Sequence, residues 1–163
     1  QDTLNEFTTN SYYSTVNEQH NLKIILLDTQ TCDTLNFQLI KETSPDPLNQ
    51  VLNVDKKFSI FLVAWLREEL LDAENNNLTV FIMGHISPGD LNCDARIINF
   101  VNLVIIIQNT EWSARYRAIV DRFTNIIKGQ FFGHTHHDHF NIFRSFADDT
   151  PVGIALMAPA FTT

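Results

Sequence analysis

Basic residues are scarce in this 163-residue chain: 11 lysines and arginines stand against 19 aspartates and glutamates, a formal net charge of -8. That deficit argues against a nucleic-acid partner, because binding a phosphate backbone takes a basic face that displaces counterions. Cysteine is scarcer still. Cys32 and Cys93 are the whole complement; two cannot define a disulfide scaffold, and alone they do not reveal the redox compartment. No apolar run approaches the roughly 20 residues of a bilayer span. The longest, Ile97 to Ile107 (IINFVNLVIII), is broken by two asparagines and reads as a buried strand or helix, or an anomaly. Internal repeats and low-complexity tracts are absent, and no charged-then-apolar leader follows Gln1. A secretory signal is therefore expected either to have been removed by processing or to belong to a longer chain.

What is present describes a globular chain. Hydrophobic residues make up 44% and charged residues 18%, the balance of a soluble protein with a core, and the length suits one domain or a piece of one. Leu22 to Leu27 (LKIILL) reads as a strand buried on both faces. Apolar residues recur at three- and four-residue spacing from Phe58 to Ala73, with Arg67, Glu68 and Glu69 on the other face, and asparagines 75 to 77 stop this helix. Leu78 to Met83 is a second buried strand, leading into the loop GHISPGD. Trp112, Tyr116, Ile119, Val120, Phe123, Ile126 and Ile127 form one helical stripe, predicting a helix from Glu111 to Lys128 with Gly129 as its stop. Short strands at Gln130 to Phe132, Phe140 to Phe146 and Val152 to Met157 complete an alternating α/β order.

The chemistry concentrates in GQFFGHTHHDHF, residues 129–140, which holds four of the six histidines. In extended chain residues two apart project to the same side, so His134 and His136 can face one cavity. Neutral imidazole is a favoured zinc ligand, and paired hydrolytic metals sit close enough for neighbouring histidines to serve both. A solvated histidine-rich surface tract is the plain alternative. His85 adds weight to the metal, because Gly84-His85 follows a buried strand just as Gly133-His134 does. Open α/β sheets bind ligands at the carboxyl ends of their strands, where two such histidines can converge.

These blocks carry a resemblance. GHISPG followed by FFGHTHHDHF is similar to the last two metal-binding blocks of the calcineurin-like metallophosphoesterases, in particular the acid sphingomyelinase and sphingomyelinase-like phosphodiesterase branch. Leu22 to Cys32 ahead of Asn36 and Phe37, Trp65 and Leu66, Trp112 with Tyr116 and Arg122, and the closing stretch from Leu156 to Thr163 fall in the family's order, from about Tyr12 to the end. The resemblance implies an α/β fold, the C-terminal half of a four-layer α/β/β/α sandwich, with 1–163 a partial catalytic domain. It implies zinc, two ions in the complete domain, with His85 and His134 on one and His136 on the other. Asp138 matches the family pattern; orienting a histidine is one role for it and tying the loop together is the other. His137 and His139 match no family ligand and read as solvated, with a substrate contact as the alternative. The implied reaction is hydrolysis of a phosphodiester, sphingomyelin or a related one and so in principle a membrane sphingolipid, by metal-activated water. The positions of Cys32 and Cys93 resemble those of a disulfide in this branch. Such a bridge would close about 60 residues, worth roughly 4 kcal/mol in the chain-entropy model; two unrelated buried thiols are the alternative. Pairing, with the sequon Asn77-Leu78-Thr79, fits a secreted or lysosomal, glycosylated protein.

The sequence also departs from the family. Its Asp-x-His, bridging-aspartate and Asn-His blocks have no counterpart here, so the leaving-group acid is expected in an N-terminal half, and the fragment alone is expected to be inactive. A chain carrying mainly one sheet of the sandwich should expose apolar sheet surface. Residues 94–110 lengthen a connection, as a lineage insertion or a gene-model error. A non-catalytic remnant binding zinc weakly is the rival reading, and a closed structural zinc module ranks behind it because it wants four protein ligands. Oligomeric state is not legible.

Overall fold

The structure, a computed structural model, describes residues 12–29, 60–89, 95–100, 103–108 and 110–161. Its elements run β1 (Tyr13–Asn17), a single 3-10 turn (Glu18–His20), β2 (Leu22–Leu26), α1 (Ile60–Asn75), β3 (Thr79–Met83), β4 (Ala95–Phe100), β5 (Leu103–Gln108), α2 (Thr110–Arg122), β6 (Ile127–Phe132), β7 (His139–Arg144) and β8 (Pro151–Met157). Six strands form one mixed sheet in the order β1-β2-β3-β6-β8-β7, and β4 pairs with β5 as a separate antiparallel ribbon. The inner strands β2, β3, β6 and β8 are parallel, while β1 and β7 flank them antiparallel. Parallel neighbours require a crossover, and α1 lies between β2 and β3 in sequence as α2 lies between β3 and β6. The fold is α/β, as the alternating pattern predicts.

Side chains alternate along each strand, so each strand sends a different set to each face of the sheet. One face carries Lys23, Ile25, Val80, Ile82, Gln130, Phe132, Ala155 and Met157, all essentially buried. Leu66, Leu70 and Ala73 of α1 close over it with Tyr116 and Val120 of α2 and Phe123 just beyond, at the spacings that put helical residues in one stripe. Two polar groups inside this core are satisfied: Tyr116 donates to Gln130 Oε1 at 2.7 Å, and Lys23 Nζ lies 2.7 Å from Glu69 Oε2 and 2.6 Å from Asp72 Oδ2. The other face is equally apolar, and among the described residues no helix packs on it. Leu22, Ile24, Leu26, Phe81, Met83 and Phe131 are half-buried there, and Phe140, Ile142, Ile154 and Leu156 are exposed by 59%, 49%, 42% and 44%.

Several expectations are revised. LKIILL is buried on one face and half-buried on the other, because the described helices pack on the face that carries Lys23 and Ile25. Glu69 lies on the buried face of α1, not with Arg67 and Glu68, because Lys23 is opposite it. The second helix ends at Arg122, and Ile127, Lys128 and Gly129 belong to β6. The carbonyl of Ile126 accepts from Val80 N at 2.8 Å, so the sheet claims residues whose apolar spacing also suits a helix. Gly129 serves the strand by close approach: a Cβ there would sit 2.9 Å from the Phe131 ring. The apolar run from 97 to 107 divides into the β4 and β5 strands of the ribbon rather than one element. The asparagine stop of α1 holds. Asn77 adopts φ 55°, its N–H reaches Glu74 O at 3.2 Å and Leu78 N reaches Ala73 O at 2.9 Å, the paired bonds of a left-handed helix cap.

Candidate metal centre

β3 and β6 are adjacent and parallel, so their carboxyl ends emerge side by side. Gly84-His85 leaves the first and Gly133-His134 the second. Backbone hydrogen bonds interleave these exits with those of the flanking strands. Leu27 N donates to Met83 O at 2.8 Å, Gly84 N to Phe131 O at 3.0 Å, Gly133 N to His85 O at 2.9 Å and Ala158 N to Phe132 O at 2.9 Å. Two histidines distant in sequence thus share one strand-end shelf, as sheets of this topology favour.

Nδ1 of His134 lies 3.4 Å from Nε2 of His85, with ring centroids 5.2 Å apart and planes crossed at 81°. Two nitrogens each about 2.0 to 2.1 Å from one tetrahedral zinc would be about 3.3 Å apart, so the pair fits as two ligands of a single ion. His85 is exposed and His134 partly so, leaving the side away from the sheet open to a third ligand, water or substrate. The rest of the sequence-derived set does not join them. Among the described residues no group of three or more His, Cys, Asp or Glu side chains is gathered as a metal cluster.

The loop after His134 is not extended. His134 has φ 75° and His136 φ 62°, both left-handed, in a series of bends. The same-side argument for these two residues therefore does not apply: left-handed residues reverse the chain. His136 is exposed, and its carbonyl accepts from Ala160 N at 3.4 Å. Asp138 is exposed and forms no hydrogen bond with either histidine among the described contacts. His137 is exposed, but His139 is more than solvated: its Nδ1 lies 3.0 Å from His137 O and 3.4 Å from Thr135 Oγ1. Cys32, Cys93 and the disulfide expected between them lie outside the described residues. Asn77 is exposed at the α1 cap.

Sequence reasoning missed the polar contacts that hold the loop bearing His85. Thr29, three residues past the end of β2, accepts at Oγ1 from His85 N at 2.9 Å and Ile86 N at 2.7 Å. Ser113 Oγ accepts from Gly89 N at 2.9 Å, and Asn141 Nδ2 reaches Ser87 Oγ at 3.5 Å. No spacing rule links 29 to 85, 113 to 89 or 141 to 87; the only sequence signal is hydroxyl and amide residues next to strand and helix ends.

No protein-family model matches the chain. It is similar to the sphingomyelin phosphodiesterase of Bos taurus, 34% identical over 145 residues that make up 87% of this chain and 18% of that protein. Sphingomyelin phosphodiesterase 1 of Caenorhabditis elegans is 28% identical over 146 residues, 87% of this chain and 21% of its own length. The human cyclic GMP-AMP phosphodiesterase SMPDL3A is 27% identical over 151 residues, 93% of this chain and 28% of its own. The chain spans about a fifth of the length of the first two relatives.

Proposed function

We propose, from the premise that the chain belongs to the acid sphingomyelinase-like branch, that it contributes a two-histidine metal position to a zinc-dependent phosphodiesterase acting on sphingomyelin or a related phosphodiester. The observation that carries the reading is the 3.4 Å approach of His85 and His134 from neighbouring strand ends. Zinc bound there supplies an acidified water and charge neutralisation at the phosphoryl oxygens. The chain's own part is geometric: the two imidazoles, both neutral when ligating, offer one nitrogen each on the open side of the shelf. His136 is the proposed ligand to a second ion, with further ligands and the leaving-group acid supplied by protein beyond these residues. Asp138 is proposed to orient a histidine ligand, and Cys32 and Cys93 to pair in a secreted or lysosomal, glycosylated protein.

The test is zinc-dependent hydrolysis by the longest natural product containing this chain, with sphingomyelin and a nucleotide phosphodiester as competing substrates. Replacing His85 or His134 by Ala is expected to lower kcat/KM by at least about 100-fold, the loss that follows when a catalytic metal is released. Variants as active as the unaltered protein would sink the reading. The pairing of only two histidines among the described residues favours one rival, a non-catalytic protein that binds zinc weakly. It predicts metal uptake that depends on His85 with no hydrolysis of either substrate.

A further inference from the structure

We propose that Thr29 is a positioning residue for the histidine pair: its hydroxyl fixes the backbone at 85 and 86 and thereby aims the His85 imidazole at that of His134. The proposal rests on the metal-holding reading above. The region that the rotamers of His85 can reach is set by the direction of its Cα–Cβ bond, so a 3.4 Å approach to a second ring depends on how the backbone at residue 85 is held. Thr29 is that anchor on one side, because a single buried oxygen accepts the consecutive N–H groups of His85 and Ile86 at 2.9 and 2.7 Å. The other side is held by the partner loop itself, since Gly133 N donates to His85 O at 2.9 Å, one residue before His134. The peptide groups on both sides of the His85 Cα are therefore fixed, and the direction of its Cα–Cβ bond with them.

Thr29 is itself closely packed. It is 1% exposed, and a Cβ on Gly84 would come within 2.9 Å of its Cγ2 and 3.0 Å of the Phe132 ring. The glycine before His85 thus lets the end of β3 lie directly on the threonine. Ser113 and Asn141 bind the same loop at Gly89 and Ser87, too far along the chain to set residue 85. Removing the hydroxyl leaves two N–H groups without their acceptor and frees the loop to turn, whereas serine keeps the oxygen and loses only the methyl group.

The test uses the 163-residue chain and cobalt(II), a visible-absorbing substitute for zinc, with Thr29→Val, Thr29→Ser and His85→Ala. Thr29→Val is expected to weaken cobalt binding about tenfold and Thr29→Ser by less than about threefold, the range of indirect effects on metal ligands. Amide exchange at His85 and Ile86 should quicken in the valine variant alone. Valine and wild-type chains binding cobalt equally, or serine failing to restore binding, would overturn the proposal. If His85→Ala binds cobalt like wild type, the metal reading falls, and the metal-free chain decides the question of Thr29. A nuclear Overhauser contact between the two rings that survives in the serine variant and vanishes in the valine variant upholds the positioning role; survival in both overturns it. Should Thr29→Val not fold, amide exchange in the wild-type chain decides: slow exchange at both His85 and Ile86, with ring contact kept by Thr29→Ser, supports the anchor, and fast exchange removes it.

Discussion

The two faces of the central sheet differ less in composition than in what lies against them. On the helix side Ile25, Val80, Ile82 and Ala155 have no exposure at all; on the far side Ile142, Ile154 and Leu156 keep over 40%. The far side is no more polar. Its cross-strand pairs are Phe140 with Leu156 and Ile142 with Ile154, and Phe81 meets Phe131 edge to face at 5.4 Å between centroids. The covered side, by contrast, contains the most charged contact of the core, Lys23 with Glu69 and Asp72. Hydropathy alone would rank these faces the wrong way round, because burial is decided by the presence of a partner layer.

The largest test of this contrast removes the charge from the closed face. Lys23 is 1% exposed, and Glu69, which also accepts from Ser14 Oγ at 2.6 Å, is itself buried, so Lys23→Met removes the cation that faces a buried carboxylate. The expected loss is about 3 to 5 kcal/mol in urea unfolding, and Lys23→Met combined with Glu69→Leu should regain most of it, since a buried ion pair adds little beyond a well-packed apolar pair. A single variant as stable as the parent would mean that the lysine does not sit where the sheet register puts it.

The next test compares equivalent apolar losses on the two faces. Ile82→Ala should cost about 2 to 5 kcal/mol, the range for truncating a packed aliphatic side chain. Leu156→Thr on the open face should change stability by less than about 1 kcal/mol. Its larger effect should be on association. An open apolar sheet face promotes self-association, so sedimentation velocity should find the parent chain forming concentration-dependent oligomers and Leu156→Thr with Ile142→Thr shifting it toward monomer. A strictly monomeric parent would contradict an open apolar face.

These contrasts explain what could be read from sequence. The strand and helix alternation, the asparagine stop of α1 and the two Gly-His strand exits were legible because each depends on a few neighbouring residues. Gly84-His85 and Gly133-His134 mark strand ends wherever the strands lie, and parallel pairing of β3 with β6 did the rest. The end of α2 was not legible, since Ile126 and Ile127 satisfy a helical stripe and a strand equally and only the edge of β3 chooses between them. Glu69 was misread for the same kind of reason: its partner Lys23 is 46 positions away. The Thr29 anchor was not legible either, because it joins residues 56 and 57 positions apart, which no local pattern encodes.

The smallest effect sharpens the comparison from outside, on the helices that close the covered face. Arg122 at the end of α2 holds Glu74 near the end of α1 with two parallel bonds, Nη1 to Oε1 at 3.0 Å and Nη2 to Oε2 at 2.9 Å. That hydrogen bonding lowers the Glu74 pKa below its ordinary value of 4.5. The unfolded chain therefore binds the proton first as pH falls, so the contribution is complete above 4.5 and disappears as pH drops through the lowered folded value. Glu74→Gln should shift the urea midpoint slightly downward at neutral pH and low salt. The gap from wild type should close in acid and in high salt, because the pair is solvent-exposed and screened. A gap that persists unchanged through that acid range would identify a packing contact in place of a charge contact, and would remove the ionic tie between the two covering helices.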